Sequence, residues 1–99
     1  MAKRIIWSPR AKLDLFEILD FYYKRNGTKT YSIKLNENFR KAVRLIDKYP
    51  NIGIQTDISS TRVLIEGNYA VFYEIKADGI EISSIWDCRQ TPNAIKMSK

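Results

Sequence analysis

The stretch RVLIEGNYAVFYEIKADGIEISSIWD, residues 62–87, decides the fold. β-branched and aromatic side chains dominate it. Gly67-Asn68 and Asp78-Gly79 interrupt it, and each is a two-residue hairpin signal. The spacing predicts strands over Arg62–Glu66, Tyr69–Lys76 and Ile80–Asp87, joined as a three-stranded antiparallel meander. Cys88 to Pro92 close this region, and residues 93–99 read as a frayed tail.

Upstream the period changes. Ile5, Ile6 and Trp7 predict a strand over residues 3–8, and Ser8-Pro9 supplies an N-cap and a first helical residue. Ala11, Leu15, Ile18 and Tyr22 recur at i, i+4, i+7 and i+11, which predicts a helix from Pro9 to about Arg25. Leu13, Phe16, Leu19 and Tyr23 widen its apolar side, so this helix is expected to be covered on more than one side. Asn26-Gly27 stops it. A second helix is predicted from Thr28 to about Lys48, with Leu35, Phe39, Ala42, Ile46 and Tyr49 inward. Thr30, Lys34, Glu37, Lys41, Arg44 and Lys48 form the opposite, polar stripe. Tyr49-Pro50-Asn51 ends it. So short a connection predicts an antiparallel helical hairpin. Residues 51–60 have no period and read as a surface loop. The order is β-α-α-β-β-β, an α+β fold with the helices on one face of a mostly antiparallel sheet. No repeat, low-complexity tract or composition break appears, so residues 1–99 read as a single domain.

Composition narrows the function classes. The chain has 99 residues, a formal charge of +6, no histidine and one cysteine. A hydrophobic share of 44% excludes global disorder. One cysteine allows no intramolecular disulfide, which fits a cytoplasmic protein. No run approaches the roughly 20 apolar residues of a membrane span. The charged stretch after Trp7 begins too early for a signal peptide. Without histidine there is no Ser-His-Asp triad, Cys-His pair or histidine metal site. Nothing in the pattern points to a metal or a cofactor. Cys88 lacks an activating histidine and reads as a small strand-end residue.

The charge is uneven. Residues 1–50 carry 12 Lys and Arg against 5 Asp and Glu, a net of +7; residues 51–99 carry 5 against 6, a net of −1. The excess follows Lys34, Lys41, Arg44 and Lys48 on the second helix. These four are candidate partner-binding residues for something anionic, either nucleic acid or an acidic protein; the alternative is a solvated helix surface. Phe21 falls on the polar side of the first helix, among Arg10, Asp14, Glu17 and Lys24. It is a candidate aromatic partner contact, with packing beneath the Gly27 turn as the alternative.

Three pieces in order carry a family likeness. They are Trp7-Ser8-Pro9-x-Ala11 with Asp14-Leu15, Ile18 and Tyr22; Arg62 heading a strand before Tyr69-x-Val71-Phe72-Tyr73; and Ile85-Trp86-Asp87-Cys88-Arg89-Gln90-Thr91-Pro92. With them the chain, over about residues 3–92, resembles the RelE/ParE superfamily of toxins from bacterial type II toxin–antitoxin modules, the plasmid-stabilisation type. The resemblance implies a small growth-inhibiting toxin, neutralised by a cognate antitoxin that is typically acidic in its toxin-binding segment. The RelE-like branch cuts mRNA on the ribosome. The ParE-like branch lacks nuclease chemistry and poisons DNA gyrase. Fold does not choose between them.

The chemistry does more. Metal-free RNA cleavage needs a base for the 2′-hydroxyl, a cation for the phosphorane and an acid for the 5′-oxygen. Arg62 and Arg89 match two arginines that nuclease relatives place on the sheet, and arginine suits phosphate. Each has the alternative of pairing with a neighbouring carboxylate, Arg89 with Asp87 for example. Tyr73, on the same side of its strand as Tyr69, is the candidate proton donor, with packing as the alternative. The late histidine or tyrosine of nuclease relatives is missing, and residues 51–60 contain no Lys, Arg or Glu. The sequence therefore favours a ParE-like toxin acting on DNA gyrase. The rivals are a RelE-like, ribosome-dependent mRNA endonuclease using Arg62 and Arg89, and a non-toxic small basic RNA- or protein-binding domain.

Overall fold

The structure, a computed structural model, describes residues 4–58 and 60–88. Its elements are β1 (Arg4–Trp7), α1 (Pro9–Asn26), α2 (Thr30–Lys48), β2 (Ile54–Gln55), β3 (Thr61–Glu66), β4 (Tyr69–Lys76) and β5 (Gly79–Asp87). The sheet order is β1-β5-β4-β3-β2. β1 runs parallel to β5, and every other pairing is antiparallel. This is the expected α+β fold with one strand more. β2 lies inside the stretch expected to be loop, pairing Ile54 with Val63 and Gln55 with Arg62. Two residues are too few for a period to show.

Ser8 caps α1: its hydroxyl accepts the Ala11 N–H at 3.0 Å and donates to the Ser83 carbonyl at 2.9 Å. Gly27 ends the helix at φ 73°, a left-handed conformation that L side chains avoid, with its N–H on the Tyr23 carbonyl. The chain needs Thr28 and Lys29 to reverse after that turn. α2 therefore starts at Thr30, two residues later than the sequence indicates, with no side chain capping it. The second hairpin turn also shifts by one. Lys76 pairs with Gly79, so Ala77 and Asp78 form the turn and Gly79 belongs to β5.

Alternation along β4 aims Tyr69, Val71 and Tyr73 at the helices. There they join Ile80, Ile82 and Ile85 of β5, Ala11 of α1, and Leu35, Phe39 and Ile46 of α2. Burying each large side chain contributes about 1.5–3 kcal/mol. β5 keeps its isoleucines inward only because the register shifts: Phe72 pairs with Ser84 and Tyr73 with Ile82, leaving Ser83 unpaired in a bulge. α1 serves the backbone freed there, through Ser8 on the Ser83 carbonyl and Asp14 Oδ2 on the Ile85 N–H at 3.0 Å.

Two burial expectations change. The outer side of α1 is open, with Leu13, Phe16 and Tyr23 exposed, because no described element lies over it. Tyr49 is the exposed cap of α2 rather than part of its buried stripe. Trp7 packs against the core, but Trp86 pairs with Ala70 and sits on the sheet face away from the helices. There its ring meets Phe72 at 6.1 Å, and Nε1 donates to Ser84 Oγ at 3.1 Å. No described helix covers that face, and Ile54 and Ile65 on it are exposed.

Candidate functional site

Arg62 and Tyr73 face each other across β3 and β4, and both turn toward the chain that leaves α2. The Tyr73 ring is fully buried. Its hydroxyl donates to the Pro50 carbonyl at 2.7 Å and accepts the Gly53 N–H at 2.8 Å. Arg62 Nη1 donates to the Gly53 carbonyl at 2.6 Å and to the Asn51 carbonyl at 3.2 Å. Two side chains thus hold the 50–53 turn by four hydrogen bonds, and that turn delivers the chain to β2.

Gly53 fits there because it has no Cβ. A Cβ would stand 2.6 Å from the Tyr73 hydroxyl and 2.8 Å from its Cε1. Burial pushes the Tyr73 hydroxyl above its ordinary pKa, outweighing the Gly53 hydrogen bond and the Arg62 charge that favour the phenolate. At neutral pH the group is a phenol with its proton on a backbone carbonyl. Arg62 pairs with carbonyls rather than with a carboxylate. Arg89 lies outside the described residues.

The partner-binding candidates lie elsewhere. Lys34, Lys41, Arg44 and Lys48 are all exposed on α2. Lys48 Nζ sits 5.6 Å from the centre of the Tyr49 ring, in the range of a cation–π contact. Arg40, which the four-residue stripe omits, shares this face. It lies one turn before Arg44, a relation readable from the helical period. Arg40 and Arg44 flank a groove of about 270 Å³ whose apolar walls include Trp7, Leu15, Phe39 and Val43. Phe21 is 46% exposed and meets Tyr22 edge-on at 4.9 Å. It opens on a separate cleft of about 280 Å³ lined also by Glu17, Tyr22, Tyr69 and Asp87. The structure therefore brings Arg62 and Tyr73 together and leaves the α2 cations and Phe21 as distinct surfaces. No helix among the described residues is long and apolar enough to cross a membrane.

Comparison with known proteins gives the arrangement a family. No curated protein sequence matches the chain. Among solved structures, a chain of the chromosomal ParDE toxin–antitoxin system from P. aeruginosa superposes with a TM-score of 0.75 at 21% identity, covering 84% of this chain and 92% of that one. That likeness is one of fold. The family model for the ParE toxin of the type II toxin–antitoxin system, parDE, matches residues 5–92. The chain thus belongs to the ParE toxin family, as the toxin of a type II toxin–antitoxin pair whose partner is an antitoxin.

Proposed function

We propose that this toxin arrests growth by acting on DNA gyrase and that it does not cleave mRNA. The observation that carries this reading is the occupation of Arg62 and Tyr73 by backbone. A ribonuclease needs its cation free to meet a phosphorane and its acid free to meet a leaving oxygen. Here the Tyr73 proton rests on the Pro50 carbonyl inside the core, and Arg62 Nη1 is bound to two carbonyls. The absence of histidine removes the commonest proton-transfer group, and family membership supports the same target.

Two measurements on one induced culture test this. Gyrase-trapped DNA breaks should accumulate, and the 5′ ends within translated mRNA should match those of an uninduced culture. New ends inside open reading frames, lost in Arg62→Lys, would show the nuclease reading to be the right one.

A further inference from the structure

The outward face of α2 carries Lys34, Arg40, Lys41, Arg44 and Lys48, all exposed, with the carboxylate of Glu37 among them and the half-buried Asp47 at the Arg40 edge. Ion pairs among the described residues join Arg10 to Asp14, Lys24 to Asp20, and Lys76 to Glu74 and Glu81. None neutralises a cation of α2. From Lys34 to Lys48 the row runs fourteen residues, or about 21 Å of helix. Arg40 and Arg44 stand one turn apart, as do Arg44 and Lys48, and such like-charge pairs destabilise a helix by a few tenths of a kcal/mol each. A row of five cations that carries this repulsion, with two carboxylates near it and no ion pair formed among the described residues, is matched to an extended polyanion.

We propose that the outward face of α2 binds the phosphate backbone of duplex DNA. The choice of duplex DNA rests on the gyrase reading, since a toxin docked on gyrase stands beside the duplex that gyrase holds. The residue types favour phosphate over an acidic protein. Three of the five cations are lysines, compact and strongly hydrated point charges that the cores of protein interfaces exclude. Lysine and arginine contacts to phosphate supply sequence-independent affinity without needing an apolar seat. The apolar groove beside Arg40 and Arg44 turns toward Trp7 and Leu15 of the neighbouring elements, and the row itself is dominated by charge, with the exposed Leu45 as an apolar neighbour of Lys41 and Lys48.

The test uses the full chain, freed of antitoxin, and a labelled DNA duplex of about 20 base pairs read by fluorescence anisotropy across a salt series. Four phosphate contacts give a slope of log affinity against log salt of about −3.6. Lys41→Gln with Arg44→Gln should flatten that slope by about 2 and weaken binding at least tenfold at moderate salt. Lys12→Gln with Arg25→Gln removes the same charge from exposed positions of α1 and should leave the slope in place. Equal flattening by both pairs overturns the proposal, because it makes the effect one of net charge. An unchanged slope in the α2 pair, joined to weakened antitoxin binding, overturns it in favour of an acidic protein surface. Tenfold tighter binding of an RNA duplex of the same sequence overturns the choice of DNA. Gyrase is absent from this assay, so its failure stays separate from a failure of the toxin to trap gyrase breaks.

Discussion

The Tyr73 hydroxyl sits 2.8 Å from the Gly53 amide nitrogen and accepts its proton, while its own proton goes to Pro50 at 2.7 Å. One buried phenol thereby fixes both ends of the turn that carries the chain from α2 into the sheet. A backbone group buried without a partner costs about 1–3 kcal/mol, so this hydroxyl governs more than its own two bonds.

Tyr73→Phe should lower the folding free energy by about 1–3 kcal/mol, because the ring still fills the core while Gly53 N–H and Pro50 C=O lose their partner. In a domain this small that is a fall of several degrees in Tm, measurable by calorimetry. Growth arrest at permissive temperature should persist. Arrest that disappears while the variant remains folded would contradict a structural role for Tyr73.

Gly53→Ala should destabilise by about 1–3 kcal/mol, the usual effect of forcing a methyl into filled space. The new Cβ meets a ring that is fully buried and cannot swing aside. Because the clash involves Cε1 as well as the hydroxyl, Tyr73→Phe should relieve only part of it. A double-mutant cycle by urea denaturation should give a coupling of at least about 0.5 kcal/mol between the two sites. Additive effects would mean that the turn and the ring are independent.

The raised pKa of Tyr73 also sets an alkaline limit. Folding favours the neutral phenol, so its contribution is fully present below the unfolded-state pKa near 10 and is lost as pH rises through the higher folded value. Stability should be flat from this source at neutral pH and decline above about pH 10. Absorbance titration of the six tyrosines should show a late step that Tyr73→Phe abolishes. A Tyr73→Phe titration that keeps the late step would assign it to another residue.

Much of the fold was readable because its periods are long and consistent. The eight residues of β4 and the Leu35, Phe39, Ala42 and Ile46 stripe of α2 report their burial directly. What escaped is short or depends on distant partners. β2 has two residues, and it exists because Arg62 and Tyr73 hold the preceding turn beside β3. The bulge at Ser83 shows as nothing more than two serines in a strand. Its need becomes visible when Ile82 and Ile85 must both face the helices. Arg62 and Tyr73 were identifiable as important polar groups on the sheet. Their partners are backbone atoms of residues 50–53, which no residue-type pattern announces. The α2 cations lie on one helix, where the 3.6 period alone is enough to group them.

Asp14 gives the clearest case of a polar group that looks like surface and behaves as core. Its side chain is 9% exposed; Oδ1 pairs with Arg10 Nε at 3.1 Å, and Oδ2 takes the Ile85 N–H at the bulge. Arg10 is 70% exposed, so the ion pair is screened and contributes little. The weight falls on the buried bond to Ile85. Asp14→Ala should therefore destabilise by about 1–3 kcal/mol, while Asp14→Asn, which keeps an acceptor, should lose less than half of that. Arg10→Ala should change stability by less than about 1 kcal/mol. Chemical denaturation of the three variants orders these effects. An Arg10→Ala loss as large as that of Asp14→Ala would show that charge pairing, and not satisfaction of the bulge, ties α1 to β5.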